Sequence, residues 1–223
     1  MAAGSLLDFV QQPETSRFFG NLHDNLFVQW HAQETRVVLV CAATPGEGAS
    51  TVALGLALAA ARNKQERILL VDGNPHEPCL WQLWQAKNKP TLTDYFRGQT
   101  PLEMIIQPTS IENLQLMAVG QDFGSQTQIV VTGQLQETVT KLTESFSRLI
   151  IDGPAINSYP ESPLYAHCAQ SILLVVAAGR SRAPVVLSAL AKFPGTLRER
   201  IAVVLNRRIY PIPKFLYERL WSY

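Results

Sequence analysis

The chain has 223 residues, of which 47% are hydrophobic and 17% charged, and its net charge is +1. This is room for one α/β domain with a large buried core, and a charge so near zero gives no electrostatic reason to expect nucleic acid as a partner. The cysteines, Cys41, Cys79 and Cys168, are far apart with no CxxC pair, so they encode neither a zinc site nor a disulfide framework and read as small buried hydrophobes in a reducing cytoplasm.

At the N-terminus, residues 1–10 lack a basic region and carry only a short apolar stretch, which does not read as a signal peptide. Residues 14–30 read as one helix with Pro13 near its start. Beyond it, β-branched apolar runs alternate with helical segments. Strands are expected at Val37–Ala42, Ile68–Asp72, Leu114–Ala118, Arg148–Asp152, Ser171–Ala177 and Ile201–Asn206. Helices are expected at 50–63, 91–97, 133–145 and 183–192. The strands are near-continuous apolar runs rather than alternating ones, as suits strands covered on both faces. The pattern predicts one domain over 1–223, a doubly wound, mainly parallel sheet with helices on both faces. A Pro- and aromatic-rich tail, 210–223, closes the chain. The longest apolar runs, 52–61 and 172–178, fall well short of the roughly 20 residues that span a bilayer.

The first expected strand, VVLVCA, runs into ATPGEGAST and then an Ala/Leu-rich helix. A strand, a glycine-rich turn and a helix N-terminus with free N–H groups make a phosphate-binding loop. Gly46 and Gly48 let the backbone wrap closely, Pro45 stiffens the entry, and the hydroxyl of Ser50 or Thr51 is placed to hold Mg²⁺. Against GxxxxGK[ST], Ala43 stands for the first glycine and Ala49 for the lysine. The setting survives while the pattern itself fails.

Two further strands end in an acid, Asp72 in ILLVDGNPHEP and Asp152 in RLIIDGPA. In a parallel sheet the C-terminal strand ends share one edge, the one that carries the phosphate loop, so both acids are expected near one Mg²⁺–phosphate position. A strand-end Asp also serves as a helix or turn cap, and that reading stays open here.

The order PGEGxST, LLVDxNxxxP, LxxYFRG, ENLQLMAVG, LIIDGPA and VVLNR resembles the cytoplasmic ATPase domain of bacterial tyrosine kinases, the BY-kinases, over nearly the whole chain. These accompany polysaccharide co-polymerases in capsule and exopolysaccharide production and share a deviant P-loop superfamily with septum-site and plasmid-partition ATPases. The resemblance implies a P-loop fold and ATP or ADP with Mg²⁺ as cofactor. It places the nucleotide on Pro45, Gly46, Glu47, Gly48, Ala49, Ser50 and Thr51, with Asn206 at the adenine. It places the metal on Ser50, Asp72 and Asp152, the two aspartates being the catalytic acids. The implied partner is a membrane polysaccharide co-polymerase or another synthase subunit, with the chain cytoplasmic and peripheral to the inner membrane.

The departures point to a catalytically degenerate member. Ala49 replaces the lysine that neutralises the β- and γ-phosphates, Asn74 stands where the family has a second aspartate, and His76 where it usually has arginine. A Pro-Asn-Pro segment is replaced at 124–128. Losing one charge-assisted hydrogen bond costs about 1.5–3 kcal/mol, or roughly 10- to 150-fold in affinity. Nucleotide binding is therefore expected to be weak or absent, with Arg180 or Arg207 as candidate substitute cations. Two alternatives stay open, an active Mg²⁺-dependent ATPase or tyrosine kinase and a partition-type ATPase. The latter relatives carry an extra lysine where this chain has Thr44.

At the N-terminus, Glu14, Arg17 and Gly20 share a helical face and are similar to the family's ExxRxxR assembly motif, with glycine for the last arginine. The expectation is a homo-oligomer through Glu14 and Arg17 at most, not a stable ring. In the tail, Tyr210, Tyr217 and Tyr223 are widely spaced among Phe215, Leu216, Leu220 and Trp221. That spacing suits an apolar docking segment better than the family's dense phosphorylated cluster.

Overall fold

The computed structural model describes residues 3–29, 35–84, 89–123 and 128–208. Seven strands form one sheet: β1 (Val37–Ala42), β2 (Ile68–Asp72), β3 (Ile106–Pro108), β4 (Leu114–Ala118), β5 (Arg148–Asp152), β6 (Ser171–Ala177) and β7 (Ile201–Asn206). The order across the sheet is β3-β4-β2-β5-β1-β6-β7, and every pair is parallel except β3 with β4. The fold is a P-loop NTPase-like, doubly wound α/β sheet. The six expected strands stand at the expected residues. The seventh, β3, is three residues long and ends in Pro108, too short and too proline-bound to read as a strand in sequence.

All side chains of β1 and β2 are buried, because each face of the sheet has its own core. On one face Leu39, Leu69, Ile151 and Leu174 belong to a core that also takes in Leu142, Tyr165, Ala189 of helix α8 (Ala183–Ala191) and Phe193. On the other, Val38, Leu70, Ile150 and Leu173 pack under helix α3 (Ala49–Ala60). Helix α3 is apolar nearly all round, since helices α1 (Ala3–Gln11) and α2 (Pro13–Asp24) cover its outer side. Gly55 in α3 is the point of closest approach, where a Cβ would overlap the Phe19 ring of α2.

The helix expected at 14–30 stands as α2, opening at Pro13 and running on into a π-helical segment, Asn25–Gln29, while α1 before it is unexpected. Pro13 opens α2 at its first turn, where a missing N–H costs nothing, and so divides it from α1. Short helices α4 (Leu80–Leu83), α5 (Leu92–Phe96), α7 (Glu161–Cys168) and α9 (Gly195–Arg198), with a longer α6 (Gln128–Ser145), complete the layers. All three cysteines are free, and burial raises each thiol, to about 12 for Cys79 and Cys168. No helix among the described residues is long and apolar enough to cross a membrane. The tail 210–223 and most of 124–128 lie outside the described residues.

Candidate phosphate-loop site

Strand β1 lies inside the sheet between β5 and β6, so the loop that follows it emerges at the centre of the C-terminal edge. Gly46 (φ 78°) and Gly48 (φ 100°) take left-handed conformations there, which a side chain would strain. Helix α3 begins at Ala49 without any side-chain cap, which leaves its first N–H groups directed at the loop's hollow, the arrangement an anion needs.

The loop is held from three directions by the protein itself. Glu47, almost fully buried, accepts the Thr44 N–H at 3.0 Å and the Ser181 hydroxyl from the β6–α8 turn. The Asn206 amide at the end of β7 donates to the Glu47 carbonyl at 2.9 Å and lies so close to Gly48 that a Cβ would strike it. Arg180 donates to the Gly46 and Pro45 carbonyls at 3.2 and 3.5 Å. Asn206, expected at the adenine, is thus also a brace of the loop.

Asp72 and Asp152 are direct register partners on β2 and β5, and both are 1% exposed. The Asp72 Oδ2 accepts the N–H groups of Leu80 and Trp81 at 2.9 and 3.0 Å, so this carboxylate does cap a short helix, as the open reading allowed. Its Oδ1 and the Asp152 Oδ2 have no hydrogen-bond partner among the described residues. Burial pushes the Asp72 carboxyl up to about 6 against the pull of its backbone N–H donors. Asp152 is raised well above the ordinary range by burial first and by Asp72 second, while a hydrogen bond from Ser50 acts the other way. Two buried carboxylates, each with an idle oxygen, are a site short of positive charge.

The cavity beside the loop measures about 530 Å³ and is lined by residues of the loop, including Ala49, Ser50 and Thr51, and by Asn74, Tyr159 and Arg207. Backbone N–H groups and the Ser50 hydroxyl line this cavity and suit a phosphate chain, while Asp72 and Asp152 lie behind its lining, Asp152 joined to it through Ser50. The conventional cation at position 49 is what the cavity lacks. Of the candidate substitutes, Arg180 reaches the loop's outward carbonyls and Arg207 lines the cavity. Tyr159 and Glu161 escaped sequence reasoning, which marked His76 only as a departure from the family pattern. His76 stacks on Tyr159 (3.8 Å between centroids) and bonds at 3.1 Å to the buried Glu161. The available signal was the SYPES stretch that follows the Asp152 strand.

Fold and site together define a P-loop NTPase-like architecture whose loop carries alanine at position 49. No protein-family model matches the chain. The chain is 24% identical over 210 residues to the tyrosine-protein kinase CpsD of Streptococcus pneumoniae, covering 94% of this chain and 90% of that one. It superposes on the chimerical protein CapA2B2 with a TM-score of 0.81 at 21% identity, over 92% and 91% of the two chains. The VpsO kinase domain matches with a TM-score of 0.75 at 25% identity, over 91% and 98%. In sequence and in fold, the chain is similar to the ATPase domains of bacterial tyrosine kinases along nearly its whole length.

Proposed function

We propose that this chain is a catalytically silent ATPase-like subunit of an exopolysaccharide or capsule synthesis machine. It acts through contact with a membrane polysaccharide co-polymerase or another synthase subunit, and it holds Mg²⁺–nucleotide weakly as a structural ligand. The observation that carries this reading is a phosphate loop folded in its binding shape, with Ala49 where the phosphate-neutralising lysine belongs. When bound, the metal would neutralise phosphate charge between Ser50, Asp72 and Asp152. The chain's own groups do the rest. Backbone N–H groups at the start of α3 receive the phosphates, and Glu47, Ser181 and Asn206 keep the loop from collapsing. Without a lysine, the charge that develops on a transferring phosphoryl group is left poorly compensated, which bears on turnover more than on binding. Location at the inner membrane follows from the partner in this reading.

A second reading is favoured by one contact. Arg180 lies against the Pro45 and Gly46 carbonyls and supplies a cation from a different loop, which would sustain an active ATPase or tyrosine kinase. Phosphate release and phosphotyrosine formation by the purified chain with Mg²⁺ and ATP separate the two. We expect no turnover above that of an Asp152→Asn control. Turnover abolished by both Asp152→Asn and Arg180→Ala would overturn the silent-subunit reading and establish the second.

A further inference from the structure

Strand β7 forms one edge of the sheet and pairs only with β6 among the described strands. Its outer side chains are unusually bare: Val203 is 59% exposed and Leu205 50%, and Leu187 on the neighbouring α8 is 63% exposed. Leu187 and Val203, with Leu190, Ala191 and Ile201, border a hollow of about 340 Å³ in which Arg198 is the one charged residue among the described lining residues. An open edge strand with an apolar face invites pairing with other chains, and proteins cover or charge such edges. No described element covers this face, and Arg198 at its margin is its one charge among the described lining residues.

The chain itself continues from this edge. At the end of β7, Arg207 takes a left-handed conformation (φ 56°) and its N–H bonds the Asn206 side chain, which turns the backbone out of the strand direction. Fifteen residues, 209–223, follow. Pro211 and Pro213 lack the N–H groups a regular added strand would need. Beyond them, Leu216, Leu220 and Tyr223 recur at helical i, i+4, i+7 spacing, flanked by Tyr217 and Trp221, with Glu218, Arg219, Ser222 and Phe215 on the remaining arc. A return along β7 needs only about 20 Å, and ten residues in helical form span about 15 Å.

We propose that the chain's own C-terminal segment, residues 214–223, folds back and seats its apolar arc on the Leu187–Val203–Leu205 face. Its origin at the edge of that face decides for the same copy over a second one. A tether this short sets an effective concentration in the millimolar range, above any ordinary protein concentration. The segment thereby closes the sheet edge, and its tyrosines are held beside their own β7.

Chymotrypsin cleavage of the full chain, followed by mass, tests this. We expect bonds at Phe215–Trp221 to resist cleavage in the wild type, equally after hundredfold dilution. Val203→Glu should raise cleavage there at least tenfold while circular dichroism shows an intact fold. The site is exposed in the described fold, so the substitution has no other reason to matter. Leu187→Glu serves as the second probe should Val203→Glu fail to fold. Rapid cleavage in the wild type, or protection that the substitution leaves unchanged, would show that this face is not the tail's seat. Protection lost on dilution would show that the tail belongs to another copy. Each of these results overturns the proposal.

Discussion

Asp72 carries the site's electrostatic tension in its own titration. Its carboxyl is raised from 3.8 to about 6, chiefly by burial, so the folded protein binds this proton more tightly than the unfolded chain does. Stability from this group is complete below pH 3.8 and is lost as pH climbs through 6, a difference of roughly 3 kcal/mol. Asp72→Asn keeps an oxygen for the Leu80 and Trp81 N–H groups and removes the charge. Urea unfolding should therefore find Asp72→Asn more stable than wild type by about 1–3 kcal/mol at pH 7.5, and nearly equal to it at pH 4. Equal or lower stability at pH 7.5 would mean that the carboxylate is already neutralised by the protein. Stabilisation on removing a charge marks a residue kept for a ligand rather than for the fold.

Among the elements, the tightest junction is α2 on α3. Gly55→Ala would ordinarily strengthen a helix by about 1 kcal/mol, but the new methyl enters the Phe19 ring. A net loss of about 1–3 kcal/mol in thermal unfolding is expected, partly recovered by adding Phe19→Leu, since residues in contact do not act additively. A stabilised Gly55→Ala would show that α2 does not sit on α3 as described. The same comparison shows what was legible. Six strands could be placed because each is a short, largely apolar run, most of them buried on both faces, with β7 the exception at Val203 and Leu205. The loop and the two acids could be found because their spacing along the chain encodes the sheet edge. The brace on the loop could not, since Ser181 and Asn206 meet Glu47 across 134 and 159 residues of sequence. Nor could α1, a nine-residue helix whose short apolar stretch carries too little pattern to mark it.

As a whole, the molecule exposes Glu14 and Arg17 on α2, the two positions that resemble an assembly motif, while the space above Gly20 is taken by the Arg62 guanidinium. Arg62 is held there by the Ser16 carbonyl and hydroxyl. With glycine at position 20 and the space above it filled by Arg62 from the turn after α3, light scattering at tens of micromolar should give a monomer or dimer of the 24.7 kDa chain. A single species many times that mass would place the ring contacts elsewhere. The account as a whole rests on the claim that the phosphate cradle is formed and lacks one positive charge. Calorimetric titration of MgATP into wild type and Ala49→Lys tests it most directly. Position 49 lines the cavity, so a lysine there needs no space in the core. The account predicts weak or undetectable binding by wild type and at least tenfold tighter binding by Ala49→Lys, a gain of about 1.4 kcal/mol. Low-micromolar binding by wild type with no gain from the lysine, or no binding by either protein, would contradict it.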